Sequence, residues 1–324
     1  MKRRTLSLLA ASAIAAVVGV RAQPAPWPRQ PIRWVVPYAP EGTTDQIARI
    51  LAPALSRDLG QAVVIDNRPG AATIIGATFV ARAVPDGYTV GTADSGTLVF
   101  NPTLYNTLGY DAATDFSLIG GLGRMPLLLV VAPNFPARNL QEFLALVHRR
   151  PGSVSAGSSG PGAPLHVALE LFKQHTRSDI RHVGYKGSAP ALEDLIGGQV
   201  DSMFIDLPPS LPAIRAGRLR VLAVATPQRL PLLPDAPTMA EAGVPGFEAY
   251  AWQGLIAPAR LPDTVRRRLG RDLVGALRTP EIRAQLESRG IEPMPMAPAE
   301  FAAFVRGEQK RWGEVLRAAN IRLD

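Results

Sequence analysis

Nine residues decide the predicted fold: Pro37-Tyr38-Ala39-Pro40-Glu41-Gly42-Thr43-Thr44-Asp45. They follow a short apolar run, Ile32 to Val36, whose β-branched and aromatic residues are typical of a strand. They precede residues 46–59, in which apolar side chains recur with the period of a helix. The nine residues are therefore predicted to form the turn between a strand and a helix.

The turn contains three consecutive small residues, Gly42, Thr43 and Thr44, at the predicted start of the helix. Backbone N–H groups in the first turn of a helix have no acceptor within the helix, and the helix dipole is positive there. Such a position suits a carboxylate or a phosphate. A second interpretation fits the residues equally well: Thr43 or Thr44 caps the helix, and the turn binds nothing.

The composition argues against several classes of protein. The chain has 324 residues, and its 47% hydrophobic content is enough for two compact cores. Its net charge of +8 includes Lys2, Arg3, Arg4 and Arg21; without them about +4 remains, spread without a basic block. Nucleic-acid-binding proteins usually cluster their basic residues, so no nucleic-acid partner is indicated. The chain contains no Cys, which excludes disulfides, thiolate catalysis and Cys-ligated zinc.

The first 22 residues are predicted to be a signal peptide. A charged segment, Lys2-Arg3-Arg4, precedes an apolar segment from Leu6 to Val20, and small residues suit cleavage near Ala22. No later stretch reaches the eighteen or so apolar residues of a membrane span. The alternative is a permanent N-terminal anchor. We expect an exported protein whose mature chain begins at Gln23.

Strands and helices alternate from residue 31 onward. Residues 62–67 read as a strand, residues 74–83 as a helix and residues 88–92 as another strand, which leads into Ser95-Gly96-Thr97. This alternation favours an α/β fold with a mostly parallel sheet and helices on both faces. Ligands of such sheets bind beyond the carboxyl ends of the strands. The Thr43-Thr44 turn and the Ser95 loop are therefore predicted to share one edge of the sheet.

Two later loops repeat the chemistry of the first turn. Residues 157–163 are rich in glycine and serine and precede a predicted helix at 166–175. Residues 186–190 follow a predicted strand at 182–185 and precede a helix at 191–196. A further predicted strand ends at Asp206, which is either a member of the same site or a cap at the strand end. The three loops together favour one shared cleft.

Several stretches of the chain, in matching order, resemble one family. They are Trp27-Pro28-Arg29-Gln30-Pro31-Ile32, the nine residues 37–45, Val64-Ile65-Asp66-Asn67-Arg68-Pro69-Gly70-Ala71, Pro85-Asp86-Gly87-Tyr88-Thr89, Tyr185-Lys186-Gly187 and Glu241-Ala242-Gly243-Val244-Pro245-Gly246. The family is that of the tripartite tricarboxylate transporter receptors, the Bug-type periplasmic solute-binding proteins. The resemblance covers nearly all of the chain after the signal peptide.

The resemblance implies a two-lobed type II periplasmic binding protein, in which each lobe is a mostly parallel sheet flanked by helices. Lobe 1 would comprise residues 24–125 plus 250–324, and lobe 2 residues 126–249. The two crossings between lobes would lie at residues 124–126 and 248–251. Three helices would then close the chain, starting at Pro262, Pro280 and Pro298, where a helix start tolerates proline.

The resemblance also implies a ligand site between the lobes, where backbone amides and two ordered waters hold a carboxylate. The matching positions are Gly42, Thr43, Thr44, Ser95, Ser159, Gly160, Ala163, Lys186, Gly187, Ser188, Ala189 and Asp206. Tyr38 would lie at the floor of the cleft and pack on the ligand, or else belong to the core. No cofactor or metal is implied. The implied partners are a small carboxylate or amino-acid-like solute and the membrane subunits of the transporter, with the receptor itself a monomer.

One position departs from the family. The family usually has two glycines in the first loop, where this chain has Glu41-Gly42. If the Glu41 carboxylate faces the cleft, it disfavours anions and shifts the preference toward an amide, an amino acid or a cation. If it faces solvent, it has little effect on binding.

Two other functions are alternatives to the receptor. The chain lacks the common hydrolase and metalloprotease motifs, and its four histidines have no metal-like spacing and are predicted to lie on helix surfaces or at caps. A hydrolase would need Ser159 as nucleophile and His166 as base. The third possibility is a ligand sensor that presents the bound solute to a membrane kinase.

Overall fold

The computed structural model describes residues 27–185 and 187–319. The strands in this part of the chain are β1 (Ile32–Val36), β2 (Val63–Asn67), β3 (Thr89–Asp94), β4 (Phe116–Val131), β5 (Ser155–Ser158), β6 (Arg181–Gly184), β7 (Ser202–Asp206), β8 (Arg220–Val224), β9 (Tyr250–Pro258) and β10 (Glu292–Pro293). The predicted signal peptide and Lys186 lie outside the described residues.

The α-helices of the same part of the chain are α1 (Thr43–Leu59), α2 (Ile74–Ala81), α3 (Asn101–Leu104), α4 (Leu140–Arg149), α5 (Pro164–Thr176), α6 (Ser188–Ile196), α7 (Leu207–Arg215), α8 (Asp263–Arg278), α9 (Pro280–Glu287) and α10 (Pro298–Ala319). A 3₁₀ turn, Ala71–Thr73, leads into α2, and a π-helical turn, Gly96–Phe100, follows β3. None of the described helices is long and apolar enough to cross a membrane.

The strands form a ten-stranded sheet in the order β2-β1-β3-β9-β4-β7-β5-β6, with β8 and β10 also paired to β4. The outer strands on each side are parallel: β1 pairs with β2 and β3, and β5 pairs with β6 and β7. The two central strands, β4 and β9, run antiparallel to each of their neighbours. The α/β fold predicted from the sequence is confirmed, and the antiparallel centre is a feature that the sequence pattern did not show.

Strand β4 runs through both parts of the sheet. Its residues up to Pro126 pair with β9, and its residues from Leu127 onward pair with β7 and β8. We call the strands beside its first half (β2, β1, β3, β9 and β10) the first sheet part, and those beside its second half (β7, β5, β6 and β8) the second sheet part. The change of partner falls where the sequence analysis places the first crossing between lobes.

Large side chains are buried on both sheet parts. Trp34 and Trp252 are 0% and 1% exposed in the first part, and Phe204 is 1% exposed in the second. The Trp34 indole donates to Thr92 Oγ1 and the Trp252 indole to Glu308, so neither buried N–H lacks an acceptor. The predicted prolines stand at helix starts: Pro280 and Pro298 are the first residues of α9 and α10, and Pro262 precedes α8.

Two local expectations are corrected. Helix α2 ends at Ala81 and not at Ala83, and the chain that enters it takes left-handed backbone angles at Ala71, Ala72 and Thr73. The N-cap of α1 is Gly42, and neither threonine caps the helix, because Thr43 already begins it and the Thr44 hydroxyl contacts another strand.

Candidate ligand-binding cleft

A cleft of about 740 Å³ lies at the carboxyl ends of the parallel strands. All but three of the predicted site residues line it: Tyr38, Gly42, Thr43, Thr44, Ser95, Ser159, Gly160, Ala163, Gly187, Ser188 and Asp206. These residues follow β1 and β3 of the first sheet part and β5 and β6 of the second, except Asp206, which is the last residue of β7. The cleft is therefore walled by loops from both sheet parts, at the edge where open α/β sheets bind ligands.

The three remaining positions differ. Lys186 is outside the described residues, and Ala189 and Glu41 are exposed and do not line the cleft. Glu41 has a φ of 70°, its backbone N–H donates to Asp45 Oδ2, and its carbonyl accepts from the Gln46 side chain. Glycine adopts a left-handed backbone conformation more easily than any other residue, which gives a physical reason why glycine would be favoured at position 41. Of the two interpretations of Glu41, the structure supports the solvent-facing one.

A second, more open groove of about 850 Å³ runs along α8 and is lined by Trp27, Arg267 and Arg271. Its arginines already have acidic neighbours, since Arg271 pairs with Asp272 at 3.0 Å and Arg267 lies 4.0 Å from Asp263. None of the three helix-start loops lines it. The cleft at the strand ends is therefore the better candidate for a ligand site, although it is the smaller of the two.

The first loop presents the start of α1 to the cleft. Gly42 is in extended conformation and has no side chain that could cap the helix. The N–H groups of the first turn are those that an α-helix leaves without an internal acceptor. Behind them, the buried Thr44 hydroxyl accepts from Gln253 Nε2 at 2.6 Å, which ties the helix start to β9. The loop therefore presents backbone N–H donors from a helix start that is held in place by β9.

The second loop is supported by two histidines. The His166 ring accepts the Gly162 N–H at Nδ1 (2.9 Å) and stacks on the His182 ring with centroids 3.7 Å apart. His182 Nε2 lies 2.7 Å from Ser158 Oγ. Burial, and then the neighbouring His166, lower the pKa of His182 to about 4, so its ring is neutral at neutral pH. The prediction that these two histidines lie at a helix surface or cap is wrong, because both pack beneath the glycine-rich loop.

This packing also bears on the hydrolase alternative. His166 Nδ1 accepts a hydrogen bond from the Gly162 N–H, and His166 Nε2 lies 3.6 Å from Glu170 Oε1. Neither described contact of the ring is with Ser159, so the ring is placed to hold the loop and not to accept a proton from that hydroxyl. A nucleophile needs its base within hydrogen-bond reach.

The third loop lies against the second. Gly187, at a φ of 118°, caps α6, and Ser188 is the first residue of that helix. The Gly187 N–H donates to the Ser159 carbonyl at 3.1 Å. This bond places the starts of α5 and α6 side by side in the wall that the second sheet part contributes.

The floor of the cleft contains a carboxylate that the sequence analysis did not include in the site. Asp94, at the end of β3, accepts from the Tyr38 hydroxyl through Oδ2, and from the Thr97 N–H and hydroxyl through Oδ1, both at 2.8 Å. Burial, together with the nearby Asp94, raises the pKa of Tyr38 well above its ordinary value, so Tyr38 stays protonated and donates. Tyr38 therefore acts as a hydrogen-bond donor in the floor of the cleft, in addition to offering an aromatic surface. Asp94 could have been found from the sequence in the same way as Asp206, because both are carboxylates at the end of a strand.

Three buried polar atoms of the cleft have no hydrogen-bond partner among the described residues: Asp206 Oδ1, Gln253 Oε1 and Ser95 Oγ. Buried polar atoms are almost always paired in folded proteins, so unpaired ones in a cleft indicate groups that meet a ligand or its waters. Burial, reinforced by the charge of Asp94, raises the pKa of Asp206 to about 7. Gln253, in β9, was missed by the sequence analysis because it lies inside a strand with no loop signal.

A cleft between two parts of an α/β sheet, lined by helix starts from both, defines a solute receptor of the type II periplasmic-binding-protein class. Residues 47–321 match the family model described as tripartite tricarboxylate transporter family receptor. The chain belongs to this family, as its sequence motifs predicted. It is thus a solute-binding protein of the Bug type and not an enzyme.

Solved structures of similar proteins agree with this assignment. An adipate-bound protein of Rhodopseudomonas palustris, Rpa4515, is 38% identical, with a TM-score of 0.86 over 92% of this chain and 99% of that one. The periplasmic binding protein BugD is 34% identical, with a TM-score of 0.82 over 91% and 99%. MatC of Rhodopseudomonas palustris, with bound malate, is 33% identical, with a TM-score of 0.81 over 90% and 100%.

Proposed function

We propose that the chain captures a small carboxylate-bearing solute between two lobes and delivers it to the membrane subunits of a tripartite tricarboxylate transporter. The proposed lobes are residues 24–125 plus 250–324 and residues 126–249. The observation that carries the proposal is the convergence of three helix starts, those of α1, α5 and α6, on one cleft. They come from both sheet parts, so a ligand bound to all three would bridge them.

The chemistry of these loops suits a carboxylate. Backbone N–H groups at helix starts carry partial positive charge, and they cannot be titrated away. The two similar structures with bound adipate and malate hold dicarboxylates, which supports a carboxylate as the ligand class. Water-mediated contacts are serviceable in such a site and allow one backbone frame to accept acids of several lengths.

The delivery step rests on the family assignment, whose description is that of a transporter receptor. Export from the cytoplasm by the predicted signal peptide and a monomeric state complete the proposal. The alternative of a sensor that docks on a membrane kinase stays a prediction, and none of the described contacts favours it over transport.

A thermal-shift screen tests the ligand class. Purified protein is melted in the presence of dicarboxylates, tricarboxylates, aromatic acids and amino acids, with sugars and divalent metals as controls. A ligand at a hundredfold excess over Kd stabilises the protein by about 2.7 kcal/mol, a readily measured shift. We expect at least one acid to raise the melting temperature. A shift with sugars or metals alone would contradict the proposal.

A further inference from the structure

The glycine-rich loop of residues 157–163 is held from behind at two backbone points. The Gly162 N–H donates to His166 Nδ1 at 2.9 Å. Ser158 Oγ lies 3.2 Å from the nitrogen and 3.2 Å from the carbonyl oxygen of Gly160, and 2.7 Å from His182 Nε2. Each histidine is therefore attached to one glycine of the loop, His166 directly and His182 through one hydroxyl.

The bond to Gly162 requires an unprotonated Nδ1. A backbone N–H only donates, and a ring nitrogen accepts only while it carries no proton. The proton of the neutral His166 ring is then on Nε2, which lies 3.6 Å from Glu170 Oε1. An imidazolium would turn a second N–H toward the Gly162 N–H, and this buried amide would lose its acceptor. Unpaired buried donors are costly, so a proton on Nδ1 opposes the observed loop conformation.

The two rings resist carrying a charge each. They stack with centroids 3.7 Å apart and planes at 15°, so a cation on one ring opposes a cation on the other. Burial, and then the neighbouring His166, lower the pKa of His182 to about 4. The other charged groups described as acting on His182 are Glu170, which favours a cation, and Lys173, which opposes it, both on α5. The neighbouring strand β5 has no charged side chain. As the pH falls, the first proton of the pair is therefore taken up by His166.

We propose that His166 and His182 position the glycine-rich loop for the ligand, and that a proton taken up by this pair loosens the loop and weakens solute capture. Neither ring is among the residues that line the cleft, whereas Ser159, Gly160 and Ala163 of the loop are, so the histidines act through the loop and not on the ligand. The inference rests on the proposed function, because it takes this loop to hold the carboxylate. Histidines change charge between about pH 5 and 8, so capture should be complete above this range and weaken toward its acidic end.

Calorimetric titration of succinate, malate, adipate and citrate at about pH 7.5 and about pH 5.5 tests the proposal. In His166→Asn the amide oxygen replaces Nδ1 as the acceptor for Gly162 and does not titrate. The rise in Kd from the higher to the lower pH should be at least about fivefold larger for the wild-type protein, since only the wild type loses the bond to Gly162. Protonation of the ligand and of Asp206 affects both proteins alike and cancels in the comparison. The matched control is His175→Gln, which replaces an exposed histidine outside the cleft and should keep the wild-type pH dependence.

A measurement on the ligand-free wild-type protein separates this inference from the proposed function. The sequence has four histidines, so ¹⁵N NMR can follow each imidazole ring, together with the Gly162 amide, through the same pH range. We expect His166 to carry its proton on Nε2 at the higher pH, and the Gly162 signal to shift with the midpoint of His166. A Gly162 signal that does not follow His166, or an equal pH dependence of Kd in wild type and His166→Asn, would overturn the inference and leave the receptor unaffected. If none of the four acids binds even at the higher pH, the proposed function fails, and the NMR titration still decides whether the pair controls the loop.

Discussion

Asp94 and Gln253 are cross-strand partners in the pairing of β3 with β9, and both line the cleft. Each holds one end of the first loop. Asp94 accepts from Tyr38, which precedes the turn, and Gln253 donates to Thr44, which lies in the first turn of α1. The pair therefore fixes the position of the backbone donors between them, and the central antiparallel strand has a direct part in building the site.

The first prediction concerns the backbone donor at Thr43. Proline is tolerated at the first position of a helix, and α5 already begins with Pro164. Gly42, with a φ of −68° and a ψ of 166°, has a conformation that a following proline accepts. Thr43→Pro should therefore preserve the fold while it removes one N–H from the cleft. We expect calorimetry to show carboxylate binding weakened by roughly tenfold, the cost of a charge-assisted hydrogen bond.

Thr43→Ala is the matched control, because it removes the same hydroxyl and keeps the N–H. It should bind nearly as well as the wild-type protein. Equal affinities for the proline and alanine variants, with both melting normally, would show that this N–H does not contact the ligand.

The second prediction concerns Glu41. Its left-handed backbone favours glycine, so Glu41→Gly should raise the free energy of unfolding by about 1 kcal/mol, as measured by chemical denaturation. Since the side chain is exposed, carboxylate affinity should change by only a few tenths of a kcal/mol, within the effect of a screened surface charge. A tenfold gain in carboxylate affinity at low salt would mean that the Glu41 charge acts on the cleft.

The third prediction concerns the pH dependence of stability. Burial and the charge of Asp94 raise the pKa of Asp206 to about 7 in the folded protein, against roughly 3.9 in the unfolded chain. The folded state then binds more protons between these two values, so this group's contribution to stability falls as the pH rises from about 4 to 7 and is constant above. The groups described as interacting electrostatically with Asp206 are Asp94 and Tyr38.

Asp206→Asn isolates this contribution. The difference in the free energy of unfolding between variant and wild type should grow in favour of the variant across that interval, by about 1 to 4 kcal/mol in total. Denaturation with urea at several pH values measures it in the absence of ligand. A difference that is independent of pH would show that the carboxyl has an ordinary pKa.

The fourth prediction concerns the packing that supports β9. A Cβ added to Gly254, next to Gln253, would lie 1.9 Å from the buried Phe301 ring. Gly254→Ala should destabilise the protein by about 1 to 3 kcal/mol, the usual cost of overpacking a core. Gly275→Ala, in α8 with no atom near the added Cβ, should instead be neutral or stabilising by up to about 1 kcal/mol. Similar melting temperatures for the two variants would contradict the packing at Gly254.

Much of the fold followed from local patterns. Each of these patterns depends on only a few neighbouring residues: the apolar period after residue 45, the β-branched runs and the prolines at helix starts. The structure has helices and strands where these patterns predicted them. The loops that line the cleft were found in the same way, because small residues between a strand and a helix are a local signal.

The remaining features depend on contacts between distant parts of the chain. Gln253 looks like any other strand residue until β9 is placed beside β3. His166 was expected at a helix surface or cap, but it is buried, at 7% exposed, and its ring stacks on His182. A single sequence has no periodicity that encodes such pairings.

Hydrogen exchange measured by mass spectrometry tests the central claim, the capture of a carboxylate by backbone amides from both sheet parts. The acid that gives the largest thermal shift is added at saturation, and exchange is compared in peptides covering residues 37–47 and residues 157–167. We predict slower exchange in both regions, because the ligand accepts from N–H groups of each. Protection confined to one region, or found only elsewhere in the chain, would contradict the account.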